Sequence, residues 1–338
     1  MESSTDSTSR ALEVRGLSVT FTTRRGPVPA VVDVDLDVAR GELVALLGES
    51  GSGKSAAARA IMGLSDRNAT VTADTLKLGD TDLRTLSEQR HRKLRGTRMS
   101  LVFQDALSAL NPVLSIGDQL GELFREHRDL SRKAARAAAV DLLGQVGIPA
   151  PARRISDYPH QFSGGMRQRI LIAMAIALRP ELIIADEPTT ALDVTVQAQI
   201  LELLDTLRRD LDMAVLLITH DLGVVSEVAD RVMVMYAGRV VEAGSADDLL
   251  SRPAHPYTEA LLRSVPRADR REGRLHAISG SPPSPANQPA GCPFHPRCEY
   301  VVDDCRTTRP PLLASTVNAA RFAACHRSEE VGHVAVAG

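Results

Sequence analysis

Residues 43–61 read Leu-Val-Ala-Leu-Leu-Gly-Glu-Ser-Gly-Ser-Gly-Lys-Ser-Ala-Ala-Ala-Arg-Ala-Ile. Leu43 to Leu47 is a continuous apolar run of strand length, the pattern of a strand buried on both faces. Gly48 to Ser55 fills every fixed position of the phosphate-loop pattern, and Ala56 to Leu64 has helix-forming composition. Strand, glycine-rich loop and helix together form the context this chemistry requires. The glycines Gly48, Gly51 and Gly53, with Ser50 and Ser52, let backbone N–H groups converge on phosphate oxygens. Lys54 supplies a point charge for the β- and γ-phosphates, and Ser55 a hydroxyl for Mg²⁺. A chance Gly/Ser-rich turn would lack the flanking strand and helix.

Working outward, Val32, Val34, Leu36 and Val38 alternate with polar neighbours, the period of a half-buried strand. Residues 66–98 are mixed and polar. From Gln104 to Ile148 the texture is helical, with Ser131 capping an Ala/Arg/Leu-rich stretch through Val146. Leu182 to Ala185 and Ala214 to Ile218 are further buried-strand runs, separated by the helical stretch Val194 to Leu211. This alternation predicts an α/β fold: a parallel sheet with helices on both faces and a helical insert between the first and later strands.

Composition narrows the function classes. Of 338 residues, 43% are hydrophobic and 24% charged, ordinary for a globular protein. A net charge of −2, 3% aromatics and no Trp give neither a basic surface nor a stacking platform for nucleic acid. The longest strongly apolar run, Ile170 to Leu178, is far short of the roughly 20 residues that cross a bilayer. The Ser/Thr-rich residues 1–10 read as a disordered tail and not as a signal peptide. The expected location is therefore the cytosol, or a membrane surface reached through partners. After Pro266 the composition shifts, and residues 281–296 hold prolines at 282, 283, 285, 289, 293 and 296, which excludes regular helix or central strand. The expected organisation is a tail (1–10), a main domain (11–265) with a helical subdomain at about 104–168, and a small extension (266–338).

Two further motifs follow the phosphate loop. Leu182-Ile183-Ile184-Ala185-Asp186-Glu187 is a buried strand ending in two acids, at the end of a strand where open α/β sheets bind ligands. Asp186 is a candidate to hold Mg²⁺, and Glu187 to polarise an attacking water. Phe162-Ser163-Gly164-Gly165-Met166 opens a helical run, so Ser163 and the glycines would present a hydroxyl, free N–H groups and the positive helix end. Either motif alone would be a solvated strand end or a turn. Their order after the phosphate loop gives them weight.

At these residues the chain resembles the ATP-binding cassette (ABC) family. The resemblance implies a P-loop NTPase cassette: a RecA-like parallel core, an antiparallel β subdomain and a helical subdomain. It matches Gln104 to the Q-loop that senses Mg²⁺, Ala191-Leu192-Asp193 to the D-loop, and His220 to the switch histidine at the γ-phosphate. It also makes Phe21 the candidate for stacking on adenine. The family signature is commonly Leu-Ser-Gly-Gly-Gln; here Phe162 and Met166 flank the Ser-Gly-Gly, and Met166 removes a side-chain amide. Family geometry places ATP between the phosphate loop of one cassette and the signature of another, so a second cassette, identical or homologous, is implied.

Longer stretches resemble the ATPases of oligopeptide/dipeptide (and nickel) importers: Gln104 to Pro112, Phe162 to Arg169, Ala185 to Gln199, Thr219 to Val225, His255-Pro256-Tyr257 and Gly291 to Cys298. That resemblance implies two membrane permeases, an extracytoplasmic binding protein, and a peripheral position on the cytoplasmic face of the membrane. A nickel or other small-solute importer, or a soluble non-transport ABC ATPase, is the alternative. Cys292, Cys298, Cys305 and Cys325 all fall within the extension, a set suited to a [4Fe–4S] cluster, to zinc with help from His295 or His326, or to four reduced thiols in a small core. Resemblance to the importer extension favours the cluster.

Overall fold

A computed structural model describes residues 10–190, 192–264, 278–315 and 318–331. Residues 1–9 of the expected tail, the domain boundary near 266 and Ala191 lie outside the described residues.

The chain opens with two long strands, β1 (Arg10–Thr23) and β2 (Gly26–Ala39), then β3 (Leu43–Leu47) and α1 (Lys54–Ile61). Short strands β4 (Ala69–Thr72), β5 (Thr75–Leu78) and β6 (Thr81–Asp82) precede α2 (Glu88–Leu94) and β7 (Met99–Val102). Helices follow: α3 (Ala106–Ala109), α4 (Ile116–Arg128), α5 (Arg132–Gln145), α6 (Pro151–Arg154) and α7 (Gly164–Ile176). Next come β8 (Leu182–Asp186), α8 (Val194–Leu211), β9 (Ala214–Thr219), α9 (Leu222–Val228), β10 (Arg231–Tyr236) and β11 (Arg239–Ser245). Helices α10 (Ala246–Ser251), α11 (Pro256–Ser264) and α12 (Asp303–Thr307) and the two-residue strands β12 (Leu313–Ala314) and β13 (Phe322–Ala323) complete it.

The chain forms two compact units. The first holds residues 38–43 and 85–218 with the start of β1. In it β7, β8 and β9 run parallel, with Met99 opposite Leu182 and Leu182 opposite Ala214. Arg98 closes a bidentate ion pair on Glu181 (2.6 and 3.0 Å), fixing the register at the entry of β7 and β8. The long apolar run of the sequence is the body of α7. Ile170, Leu171, Ile172, Ala173, Ala175 and Ile176 are all buried, so the helix is apolar on every side because protein surrounds it. The helical insert breaks into α3, α4 and α5 where caps dictate: Ser115 Oγ accepts from Asp118 N (3.1 Å) and Ser131 Oγ from Ala134 N (3.3 Å).

The second unit holds residues 13–37, 44–84 and the chain from Thr219 onward. One sheet runs β2-β1-β5-β6, with β4 antiparallel to β1. The alternation read from Val32 holds only from Val34. Asp33 takes a left-handed conformation (φ 54°), its N–H bonds Ser18 Oγ at 3.0 Å, and the kink shifts burial to Val31 and Val34, leaving Val32 half-buried. In the other sheet β10 lies parallel to β3, β11 antiparallel to β10, and β13 and β12 add antiparallel beyond β11.

Among the described residues, the extension packs into a core shared with the main domain. Phe294, Cys292 and Cys305 share one apolar cluster with Tyr236 of β10, Tyr257 of α11 and Leu249 of α10. Phe294 meets Tyr236 edge-on at 5.3 Å and Tyr257 at 5.4 Å between ring centroids.

Candidate active site

The phosphate loop lies between β3 and α1, as its motif predicts. Gly48, Gly51 and Gly53 all have positive φ (155°, 80° and 108°), so the loop traces a path that side chains resist. At Gly53 a Cβ would meet Ala30 O at 2.4 Å, and at Gly48 it would meet Met235 O at 2.2 Å. Gly48 and Gly53 therefore admit the backbone of β10 and β2. Lys54 is buried (4% exposed), and its Nζ donates to Gly48 O (2.6 Å) and Glu49 O (3.0 Å). Ser52 is also buried, and its Oγ has no hydrogen-bond partner among the described residues. A buried hydroxyl left without a partner and an ammonium resting on loop carbonyls are groups that a polyphosphate would satisfy. Ser55 follows on the first turn of α1, half-buried.

In the other unit, Asp186 ends β8 and Glu187 follows at φ 47°, a left-handed conformation unusual for a residue with a side chain. The backbone is held there by Glu187 N donating to Ile218 O at 2.9 Å. Glu187 Oε2 accepts from Thr190 Oγ1 (2.9 Å) and from Gln104 Nε2 (3.3 Å). The structure thus joins Gln104 and Glu187, and adds Thr190, which sequence reasoning did not single out.

Ser163 is the N-cap of α7, accepting from Met166 N at 3.4 Å. Gly165 is glycine for a packing reason too: a Cβ there would stand 2.5 Å from Val196 of α8, and one on Gly164 would stand 3.3 Å from Leu192. The signature glycines thus let Leu192 and the start of α8 lie against α7. Asp193 caps α8 by accepting from Val196 N (3.0 Å). Arg154 organises the flanking residues: its guanidinium stacks 4.3 Å above the buried Phe162 ring and donates to Met166 Sδ (3.3 Å) and Gln161 O (2.9 Å). Met166 is engaged with Arg154 through its sulfur.

His220 is exposed at the end of β9, and Phe21 is half-buried in β1 opposite Ala69 of β4. Both lie in the unit of the phosphate loop.

Residues 31–190 match the ABC transporter family, and residues 241–305 match the C-terminal region of oligopeptide/dipeptide transporters. The oligopeptide transport ATP-binding protein AppD of Bacillus subtilis (strain 168) is 49% identical over 96% of this chain and 98% of its own. The dipeptide transport ATP-binding protein DppD of Escherichia coli (strain K12) is 48% identical over 89% of this chain and 92% of its own. This chain belongs to the ATP-binding proteins of the oligopeptide/dipeptide ABC transporter family. Among solved structures, the post-hydrolysis dimer of the ATP-binding cassette MJ0796 bound to ADP and Pi has a TM-score of 0.60 at 27% identity, covering 70% of this chain and 98% of that one. The chain is thus a family ATPase cassette with the extension appended.

The four cysteines of the cassette's extension are free thiols, and all four line one small pocket with His295 and His326. Burial raises the thiol of Cys292, that of Cys298 to about 11 and that of Cys325 to about 12, with neighbouring thiols adding to the rise in each. Among the described residues no group of three or more His, Cys, Asp or Glu stands close enough together to hold a single metal ion. No helix among the described residues is long and apolar enough to cross a membrane.

Proposed function

We propose that this cassette energises uptake of oligopeptides or dipeptides across the cytoplasmic membrane, bound to its cytoplasmic face through two permease subunits and served by an extracytoplasmic binding protein. The observation that carries this reading is the match of residues 241–305, the end of the main domain and the first part of the extension, to the C-terminal region of oligopeptide/dipeptide transporters. The relatives named for oligopeptide and dipeptide transport agree with it along nearly their whole length.

The site residues take the following parts. Gly48 to Gly53 cradle the phosphates with backbone N–H groups, Lys54 neutralises the β- and γ-phosphates, and Phe21 stacks on adenine. Ser55 of one unit, and Asp186 and Gln104 of the other, would each offer an oxygen to Mg²⁺, which would supply charge neutralisation at the transferred phosphoryl group. Glu187 orients and deprotonates the attacking water. Its carboxylate already accepts from Thr190 and Gln104, which fixes its direction before the substrate arrives. His220 contacts the γ-phosphate.

The signature of a second cassette, Phe162 to Met166, closes the site, flanked by that cassette's Ala191-Leu192-Asp193. ATP then bridges two chains and favours the closed pair by mass action, and hydrolysis releases it. In the assembled transporter, Glu187→Gln is expected to keep ATP binding and lose turnover by 10²- to 10⁴-fold, the usual share of a positioned base. Turnover within twofold of the parent would refute that role.

The thiols support a second reading within the same protein, a [4Fe–4S] cluster that staples the extension. Four thiols facing one pocket suit a soft centre. Anaerobic purification followed by iron and sulfide analysis tests it: a colourless protein free of iron would refute the cluster.

A further inference from the structure

The extension reaches the phosphate loop itself. Arg297 lies in the Pro-Arg-Cys turn beside Cys298, and its side chain is only 4% exposed. Its guanidinium makes a fork on Glu49, the second residue of the loop, with Nη1–Oε2 at 2.7 Å and Nη2–Oε1 at 3.1 Å. The fork is itself held: Nε donates to Ser279 O (3.0 Å), Nη1 to Tyr236 Oη (3.3 Å), and the cation sits 5.8 and 5.9 Å from the Tyr236 and Phe294 ring centres. From α11, Tyr257 Oη accepts the Glu49 N–H at 2.8 Å. Glu49 O in turn accepts from Lys54 Nζ at 3.0 Å. Residue 49 is thus fixed at its side chain, its amide and its carbonyl. Two of those three restraints come from residues more than 200 positions away, which the nucleotide would not touch.

We propose that Arg297 and Tyr257 are positioning residues for ATP: the C-terminal extension, through Arg297, and α11, through Tyr257, form a strap that presets Glu49, and through it the phosphate loop and Lys54, for the nucleotide. Bidentate guanidinium–carboxylate pairs combine strength with a fixed geometry. A loop held in its binding shape loses less freedom when the ligand arrives, so the strap acts on affinity. The alternative is that the pair merely fastens the extension to the body of its unit. That role would be felt in the folded fraction and not in the affinity of the folded protein. The proposal rests on the reading of residues 48–55 as the ATP site.

The test measures ATP dependence of turnover for the full chain assembled with its membrane partners. Arg297→Gln and Glu49→Gln are each expected to raise KM for ATP about tenfold, or 1.4 kcal/mol, with kcat within twofold of the parent. The double variant should be no worse than either single one, because both remove the same pair. Arg297→Lys, which keeps the charge and loses the fork, should fall between, and Tyr257→Phe should raise KM two- to threefold. An unchanged KM with kcat reduced in proportion to folded protein would overturn the strap. If Arg297→Gln does not fold, Glu49→Gln decides, since it breaks the pair from its more exposed side. Lys54→Ala separates the two levels of the argument. If it abolishes turnover while KM is unchanged in the Arg297 and Glu49 variants, the strap alone is refuted. If it leaves turnover intact, the reading of the loop is refuted.

Discussion

Gly53→Ala and Gly51→Ala test why the phosphate loop is built from glycine. Both positions have positive φ, 108° and 80°, so either alanine costs about 1–2 kcal/mol in backbone conformation. They differ in space. At Gly51 nothing lies within 4 Å of the added Cβ, whereas at Gly53 it falls 2.4 Å from Ala30 O and 2.8 Å from Met235 Cε. The methionine end can swing away, but a carbonyl of β2 cannot without moving the strand. Relieving that contact needs the backbones to part by roughly 0.6–1 Å, a disturbance of the kind that costs about 1–3 kcal/mol when a core is overfilled. Gly53→Ala should therefore lose about 2–5 kcal/mol and Gly51→Ala about 1–2 kcal/mol in chemical denaturation of the full chain. The readout is the denaturation midpoint at unchanged slope. Equal losses, within about 0.5 kcal/mol, would refute the claim that the β2 backbone dictates glycine at 53.

Two other predictions concern different parts of the molecule. His255 is buried (1% exposed) with Nδ1 accepting from Tyr257 N at 3.0 Å, and burial lowers its pKa from 6.5 to about 3. Below pH 6.5 the unfolded chain takes up a proton that the folded one refuses, so this contribution to stability is full above 6.5 and is lost as pH falls towards about 3. The loss should reach about 2 kcal/mol by pH 5. His255→Asn, whose amide oxygen can keep the cap, should lack that share of the pH slope, and identical slopes would contradict the assignment. Ser163→Ala removes the N-cap of α7. It should cost about 1 kcal/mol in stability and reduce ATPase activity at saturating ATP, whereas full activity would limit Ser163 to capping.

The central element was legible because its chemistry and its local structure coincide. Leu43 to Leu47 is a strand with the limits the sequence suggests, and Val194–Leu211 a helix with its expected ends. Those stretches are strongly patterned, and caps such as Asp193 mark where they begin. Asp186, Glu187 and Ser163 could be named from their places at the end of a strand or the start of a helix, whereas Gln104 was reached through the family resemblance. Less visible were contacts between residues far apart in the chain. Nothing in the order Gly-Glu-Ser-Gly says that Glu49 meets Arg297, although both lie in motifs that attracted notice. Thr190 is not legible, because a threonine two places after a proline carries no periodic signal. The kink at Asp33 was hidden because an alternating strand pattern tolerates one left-handed residue with only a local shift. The packing role of Gly165 could not be separated from a ligand role, since both ask for a missing side chain.

The pairing of β13 with β11 bears on solubility. β11 is a seven-residue strand whose outer backbone groups are taken up by the extension, through the Glu242–Ala323 and Ala243–Phe322 pairs and Ala324 N donating to Val241 O at 2.8 Å. A chain cut before Pro266 would keep Lys54, Ser163 and Glu187 but leave that edge bare. Bare edges recruit strands from other molecules. The two short strands contributed by the extension thus give the sheet a blunt end, too brief to template a neighbour, and an excised cassette would be expected to self-associate along β11 where the whole chain does not.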